Sequence, residues 1–207
     1  MPAMEDMGVL DRALTRATQP TLAAWHAVGA TPNVLTTLGL ITSLLSVLAL
    51  WLGSWWALPA MAARAYFDFA DGMLARKYAQ TSVFGDWYDH VVDVFGFTIP
   101  FVAVLLLKSP SRRAVLTNAA LVGGFGAMFS AYMGCLQQQS ASAGPSASIS
   151  WLKRACFSPR LLRVFDNGTF YVLLAALAGV QISGRRSGVG GGKGSLGRAQ
   201  LGLAVGK

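Results

Sequence analysis

The stretch Asp68-Phe69-Ala70-Asp71-Gly72-Met73-Leu74-Ala75-Arg76, followed after eight residues by Gly85-Asp86-Trp87-Tyr88-Asp89-His90-Val91-Val92-Asp93, decides how the chain is read. Asp68 and Asp71 stand three apart, and Asp89 and Asp93 four apart. On helices, each pair therefore projects from one face. The link from Arg76 to Gly85 is short enough for an antiparallel turn, which predicts carboxylates from both helices meeting at one level. Long apolar runs lie on either side: Val34 to Leu52 carries no charge at all, and the sequence after Asp93 is apolar as far as Leu107.

Four converging carboxylates repel one another and are costly to place at a membrane edge. Two divalent cations would neutralise them. An all-oxygen ligand set favours Mg²⁺, Mn²⁺ or Ca²⁺ over zinc, and two such ions about 3.5–4 Å apart are a common device in phosphoryl chemistry. Gly72 permits close approach of a backbone or ligand, and Ala75 leaves space on the Asp68–Asp71 face. Gly85 would open the next helix where a nucleotide enters, and Arg76 offers a planar cationic fork for phosphate oxygens.

Working outward, composition agrees with a membrane setting. The chain has 207 residues, 54% hydrophobic and 13% charged, with a mean hydropathy of +0.48; soluble domains carry roughly a quarter charged residues. Several runs approach the roughly 20 residues that cross a bilayer as a helix, and helices are the spanning form expected of such runs. The net charge of +8 fits loops facing anionic head groups; no aromatic-basic module points to nucleic acid. Cys135 and Cys156 have neither metal nor redox spacing and receive no role. No cleaved signal peptide is recognisable before Pro32.

The expected architecture is all-α and membrane-integral, a bundle of five to six transmembrane helices preceded by an interfacial amphipathic helix over Val9–Val28. Spans are expected over Val34–Leu52, Trp55–Tyr78, Gly85–Leu107, Ala114–Leu136 and Leu161–Ile182. Trp55 and Trp56 suit an interfacial belt. Residues 137–150 form a low-complexity loop expected to be disordered, Trp151–Arg163 a basic surface helix, and 183–207 a flexible Gly-rich basic tail. The domain is thus 1–182. Five spans divide the loop Lys and Arg residues eight and eight between the two faces, so the positive-inside rule gives no orientation.

The spacing D-x2-D-G-x2-A-R-x8-G-x3-D-x3-D resembles the signature of the CDP-alcohol phosphatidyltransferase family at every defined position, and the motif with its flanking spans covers about Thr31 to Leu107. Thr31-Pro32-Asn33-Val34-Leu35-Thr36 is similar to the segment these enzymes often carry before their first span. The resemblance implies metal-dependent phospholipid synthesis: transfer of a phosphatidyl or phospho-alcohol group from a CDP-linked donor to a hydroxyl acceptor, with release of CMP. Asp68, Asp71, Asp89 and Asp93 would hold two Mg²⁺ or Mn²⁺ ions, and Asp93 would also be the general base. Gly72, Ala75, Arg76 and Gly85 would line the CDP site. It further implies a homodimer with six spans and an active site facing the cytosol. The compartment would be the endoplasmic reticulum in a eukaryote or the inner membrane in a bacterium. Only five spans are evident.

Plainer readings stand beside these. The aspartates could be structural pairs without metal, although acids inside membranes default to function. Asp86 reads as a solvated neighbour, and His90 as a packing residue turned about 100° from Asp89. Arg64 either pairs with Asp68 or binds a donor phosphate. Asp166 reads as a cap, and Asn167-Gly168-Thr169 as an unused glycosylation sequon. Arg160 and Arg163 either hold a lipid phosphate or are ordinary flanking charge. Two other functions compete with the transferase: an inactive membrane scaffold, and a cation transporter, which the clustering near one helix end disfavours. Within the transferases, Gly85-x3-Asp89-His90-x2-Asp93 looks like the choline and ethanolamine phosphotransferases, which use diacylglycerol. Chain length and Ala79–Gly85 are closer to phosphatidylinositol synthase, which favours a CDP-diacylglycerol donor.

Overall fold

The computed structural model describes residues 7–139, 148–158 and 163–191. Among them every regular element is helical. The elements are α1 (Val9–Thr18), α2 (Leu22–Ala27), α3 (Pro32–Trp51), α4 (Ala57–Lys77), α5 (Val83–Val91), a π-helical segment (Val92–Thr98), α6 (Ile99–Leu107), α7 (Arg112–Gln139) and α8 (Asn167–Gly191), joined by short 3-10 turns.

Local chemistry sets the ends. Thr31 is extended and Pro32 occupies the first turn of α3, where a missing N–H is not needed. At the other end Gly53 takes a left-handed φ of +68° and Ser54 N donates to Ala49 O at 2.8 Å, a glycine-based stop. Ser82 accepts from Gly85 N and so caps α5. Pro100 stands in the first turn of α6 and cannot donate to the preceding turn, which accounts for the wider π register just before it.

Directions follow from side-chain bonds. Thr36 reaches Asp71 near one end of α3 and Ser46 reaches the Ala57 carbonyl near the other, so α3 and α4 are antiparallel. Thr37 bonds Tyr88 and Lys108 lies over the Trp51 ring, so the Val83–Leu107 run is parallel to α3. Asn167 meets Asp68 while Arg185 meets the carbonyls of Leu50 and Trp51; α8 too is parallel to α3. The main core lies between these helices, with Leu50, Met61, Phe97, Phe101, Leu174 and Ile182 all buried. A smaller cluster of Leu22, Leu35, Ala70, Met73 and Leu74 fastens α2 to one end of the bundle.

Large apolar side chains face outward as well, among them Leu44, Leu45 and Leu48 on α3, Phe95 and Ile99, and Val172 and Val180 on α8. So wide an apolar exterior suits lipid rather than water. Among the described residues, three helices are long and apolar enough to cross a membrane: Pro32–Trp51, Val83–Leu107 and Arg112–Gln138. Helix α4, expected as a span, is not among these three; it carries Arg64, Asp68, Asp71, Arg76 and Lys77.

Several boundaries differ from the sequence expectation. The N-terminal amphipathic helix is two helices, broken by the 3-10 turn Gln19–Thr21 around Pro20. Gln137–Gln139 belong to α7 rather than to the low-complexity loop; residues 140–147 lie outside the described residues. Trp151–Arg163 is not one surface helix: Ser150–Ala155 and Arg163–Phe165 are separate 3-10 turns and Cys156 is extended. The helix expected as the last span begins at Asn167, because Asp166 caps it, and continues to Gly191; the tail beyond that is outside the described residues, as is Arg160. Cys135 and Cys156 form a disulfide, which corrects their having no role. A β-carbon on Gly134 would lie 2.1 Å from the Leu152 carbonyl oxygen, so glycine there lets the 150–155 turn lie directly on α7 and bring the sulfurs together.

Candidate active site at the polar end of the bundle

Carboxylate oxygens of Asp68, Asp89 and Asp93 lie within 4.8 Å of one another. The α4 turn presents the first, α5 the second, and the π segment the third. A π turn at this point is telling, since such widened turns recur at functional sites. Asp71 is on the same face of α4 but is drawn toward α3: Thr36 Oγ1 donates to its Oδ2 at 2.6 Å, and its side chain is buried. Three of the four expected ligands are therefore gathered, and the fourth is held beside them.

Arg64 organises the group. It is fully buried; its Nη2 donates to Asp68 Oδ1 at 3.3 Å and to Asp93 Oδ1. Gly39 makes room for it, since a β-carbon there would stand 3.1 Å from Arg64 Nη1. The pairing with Asp68 is the one its i,i+4 spacing suggests. The bond to Asp93 spans two helices, and no sequence signal announces it. Asp93 remains the most open of the salt-bridged carboxylates, its side chain 32% exposed against 8% for Asp68.

The residues suit a divalent cation. Asp89 Oδ1 is buried and has no hydrogen-bond partner, and a buried carboxylate oxygen left unpaired is costly. A hard cation shared with Asp68 and Asp93 would satisfy it, and an oxygen donor set of this kind suits Mg²⁺, Mn²⁺ or Ca²⁺.

The expected nucleotide-binding residues occupy the same end. The Arg76 guanidinium lies over Gly72, 3.1 Å from where a β-carbon would be; the glycine makes space first of all for this arginine. Gly85 faces Asn33, whose Oδ1 would be 3.1 Å from a β-carbon there, so the Thr31-Pro32-Asn33 segment lies at the mouth of α5. Ala75 is half-buried nearby on α4. Asp86 is not merely solvated: it accepts from Ser148 N at 2.9 Å, while His90 Nδ1 lies 3.0 Å from Ser148 Oγ. Both residues fasten the segment returning from α7 rather than joining the aspartate cluster.

Sequence reading missed Thr36, the second bond of Arg64, and Asn167, whose Nδ2 donates to Asp68 Oδ2 at 2.8 Å. Arg64 carried an i,i+4 signal toward Asp68; Thr36 and Asn167 lie in stretches that the sequence singles out, but nothing there points to their partners, which are distant along the chain.

No curated protein and no solved structure matches the chain. Residues 29–165, well over half of the chain and the whole aspartate cluster with it, do match the model of the CDP-alcohol phosphatidyltransferase family, and the chain belongs to that family.

Proposed function

We propose that the protein catalyses transfer of a phosphatidyl or phospho-alcohol group from a CDP-linked donor to a hydroxyl acceptor, releasing CMP, with Asp93 as general base. The observation that carries this reading is the convergence of Asp68, Asp89 and Asp93, with one Asp89 oxygen buried and unpaired, inside the stretch that matches the family. Asp68, Asp71, Asp89 and Asp93 would hold two Mg²⁺ or Mn²⁺ ions. When bound, these would polarise the donor's phosphates and stabilise charge on the departing CMP.

The remaining work falls to side chains. Arg64 holds Asp68 and Asp93 in fixed orientation, which suits positioned catalysis. The partly open Asp93 carboxylate takes the proton from the acceptor hydroxyl, a contribution typically worth 10²–10⁴-fold. Arg76 meets phosphate oxygens of the donor, and Gly72, Ala75 and Gly85 leave its nucleotide room. A CDP-diacylglycerol donor is favoured, and the CMP-release test names the acceptor. The active form would be a homodimer with five to six spans per chain, in the endoplasmic reticulum or a bacterial inner membrane.

The test is CMP release by the full chain in lipid nanodiscs. CDP-diacylglycerol is paired with inositol, serine or glycerol 3-phosphate, and CDP-choline or CDP-ethanolamine with diacylglycerol, each with Mn²⁺, Mg²⁺ or chelator. Metal-dependent release with one pair, reduced at least about 100-fold in Asp93→Asn, is expected. Folded protein silent with every pair would sink the reading.

A further inference from the structure

The start of α8 and the start of α1 cap each other. Asp166, fully buried, accepts from Leu10 N at 2.8 Å and Asp11 N at 3.0 Å through Oδ2, and from Thr169 N at 2.8 Å through Oδ1. In return, Asp11 Oδ1 accepts from Gly168 N at 2.8 Å. Each helix thus meets the open N–H groups of the other with a carboxylate, the arrangement that helix N-termini favour. Tyr132 adds a third tie by accepting from Gly8 N at 2.9 Å. The two backbones approach closely: a β-carbon on Gly8 would lie 2.2 Å from Asp166 Oδ2, and one on Gly168 2.6 Å from Leu10 Cβ.

Asn167 stands between Asp166 and Gly168, and its amide is the donor that reaches Asp68 Oδ2 at 2.8 Å. Asp68 Oδ1 is taken by Arg64. Both oxygens of one carboxylate in the cluster are therefore oriented from outside its own turn, one of them by a residue anchored to the amphipathic N-terminal helix. We propose that Asn167 is a positioning residue for Asp68, and that docking of α1 through Asp11, Asp166 and Gly168 holds it in place. This rests on the metal-binding reading above. Its chemical content is that of outer-shell support: hydrogen bonds to metal ligands set their orientation, and their loss typically costs 10–100-fold in affinity.

The experiment is Mn²⁺ binding to the full chain in nanodiscs, followed by electron paramagnetic resonance of the free ion without substrates. The Mn²⁺ dependence of CMP release is measured alongside. Asn167→Ala is expected to weaken Mn²⁺ binding at least about tenfold. It should raise the Mn²⁺ half-saturation by a similar factor, with kcat at saturating Mn²⁺ changed by less than about threefold and thermal stability preserved. Gly168→Ala keeps Asn167 and favours α8 by helix propensity, but forces α1 away. It is expected to weaken Mn²⁺ in the same direction, by about three- to tenfold. Gly123→Ala, where an added methyl meets nothing, is expected to change neither. Unchanged Mn²⁺ affinity in Asn167→Ala would overturn the role of Asn167, and unchanged affinity in Gly168→Ala the role of α1. Absence of Mn²⁺ binding by the unaltered protein would overturn the metal reading, and this inference with it.

Discussion

The two ends of the bundle are held by different physics. At the polar end, buried charged groups are matched across the chain: Arg64 with Asp68 and Asp93, Asp71 with Thr36, Asp166 with the start of α1. At the other end, α3 finishes against Lys108, whose ammonium lies 3.5 Å from the Trp51 ring centroid. There Arg185 donates to the carbonyl oxygens of Leu50 and Trp51, and Trp56 is wide open. One end specifies atomic positions with desolvated charge, where losing a partner is expensive. The other uses amphipathic side chains that satisfy themselves at a lipid–water boundary, where any one can be lost cheaply. The proposed chemistry belongs to the expensive end.

That contrast can be broken. Arg64→Met should have the largest effect, because it removes the buried cation that both Asp68 and Asp93 face, and about 3–5 kcal/mol of stability should go. Unfolding in chelator would measure it. An effect below about 1 kcal/mol would mean that the polar end is no more constrained than the other.

A second variant sharpens the contrast through pH. Burial pushes the Asp11 carboxyl up to about 7 from its ordinary 3.8, with Gly168 N–H opposing and the Asp166 carboxylate adding to the rise. A folded value raised above the unfolded one stabilises α1 docking fully below about pH 4. That contribution fades as pH rises through about 7. Stability should therefore fall by on the order of 1–3 kcal/mol between pH 5 and pH 8. Asp11→Asn, which keeps an acceptor for Gly168 N but carries no charge, should flatten that slope. A thermal-melt series over pH would decide it, and an equal slope in both proteins would count against the assignment.

The smallest effects belong to the far end. Lys108→Ala and Arg185→Ala should each cost less than about 1 kcal/mol by the same unfolding measurement, without altering Mn²⁺ binding. A larger loss from either would erase the difference between the ends.

What was readable in the sequence divides along the same line. The aspartates announced themselves because their spacing is local: three and four residues on helices, with a short link between, are enough to put them on facing surfaces. The all-α membrane architecture was equally legible from uncharged runs such as Val34–Leu52. Asn167, Thr36 and the Cys135–Cys156 pair were not, because what makes each matter is a neighbour far along the chain. Asp68 is distant from Asn167 and Asp71 from Thr36, while the cysteines are separated by 21 positions. Gly72 shows an intermediate case. Its need for space was legible; that Arg76 of its own helix fills the space first became visible only in three dimensions.

The π segment Val92–Thr98 also gives this site a particular tolerance to single-residue deletion. A π turn accommodates one more residue than the α-helical turn it replaces. Deleting a single residue from Val94–Thr98 would let the stretch relax into continuous α-helix. Residues before and after it would keep their packing faces, Asp89 on one side and Phe101 on the other. Deleting one residue from α3 has no such slack: it would turn everything beyond the deletion by about 100°, carrying Leu50 out of the core. Length variants of this protein should thus survive at Asp93's own doorstep more readily than in the plain helix opposite.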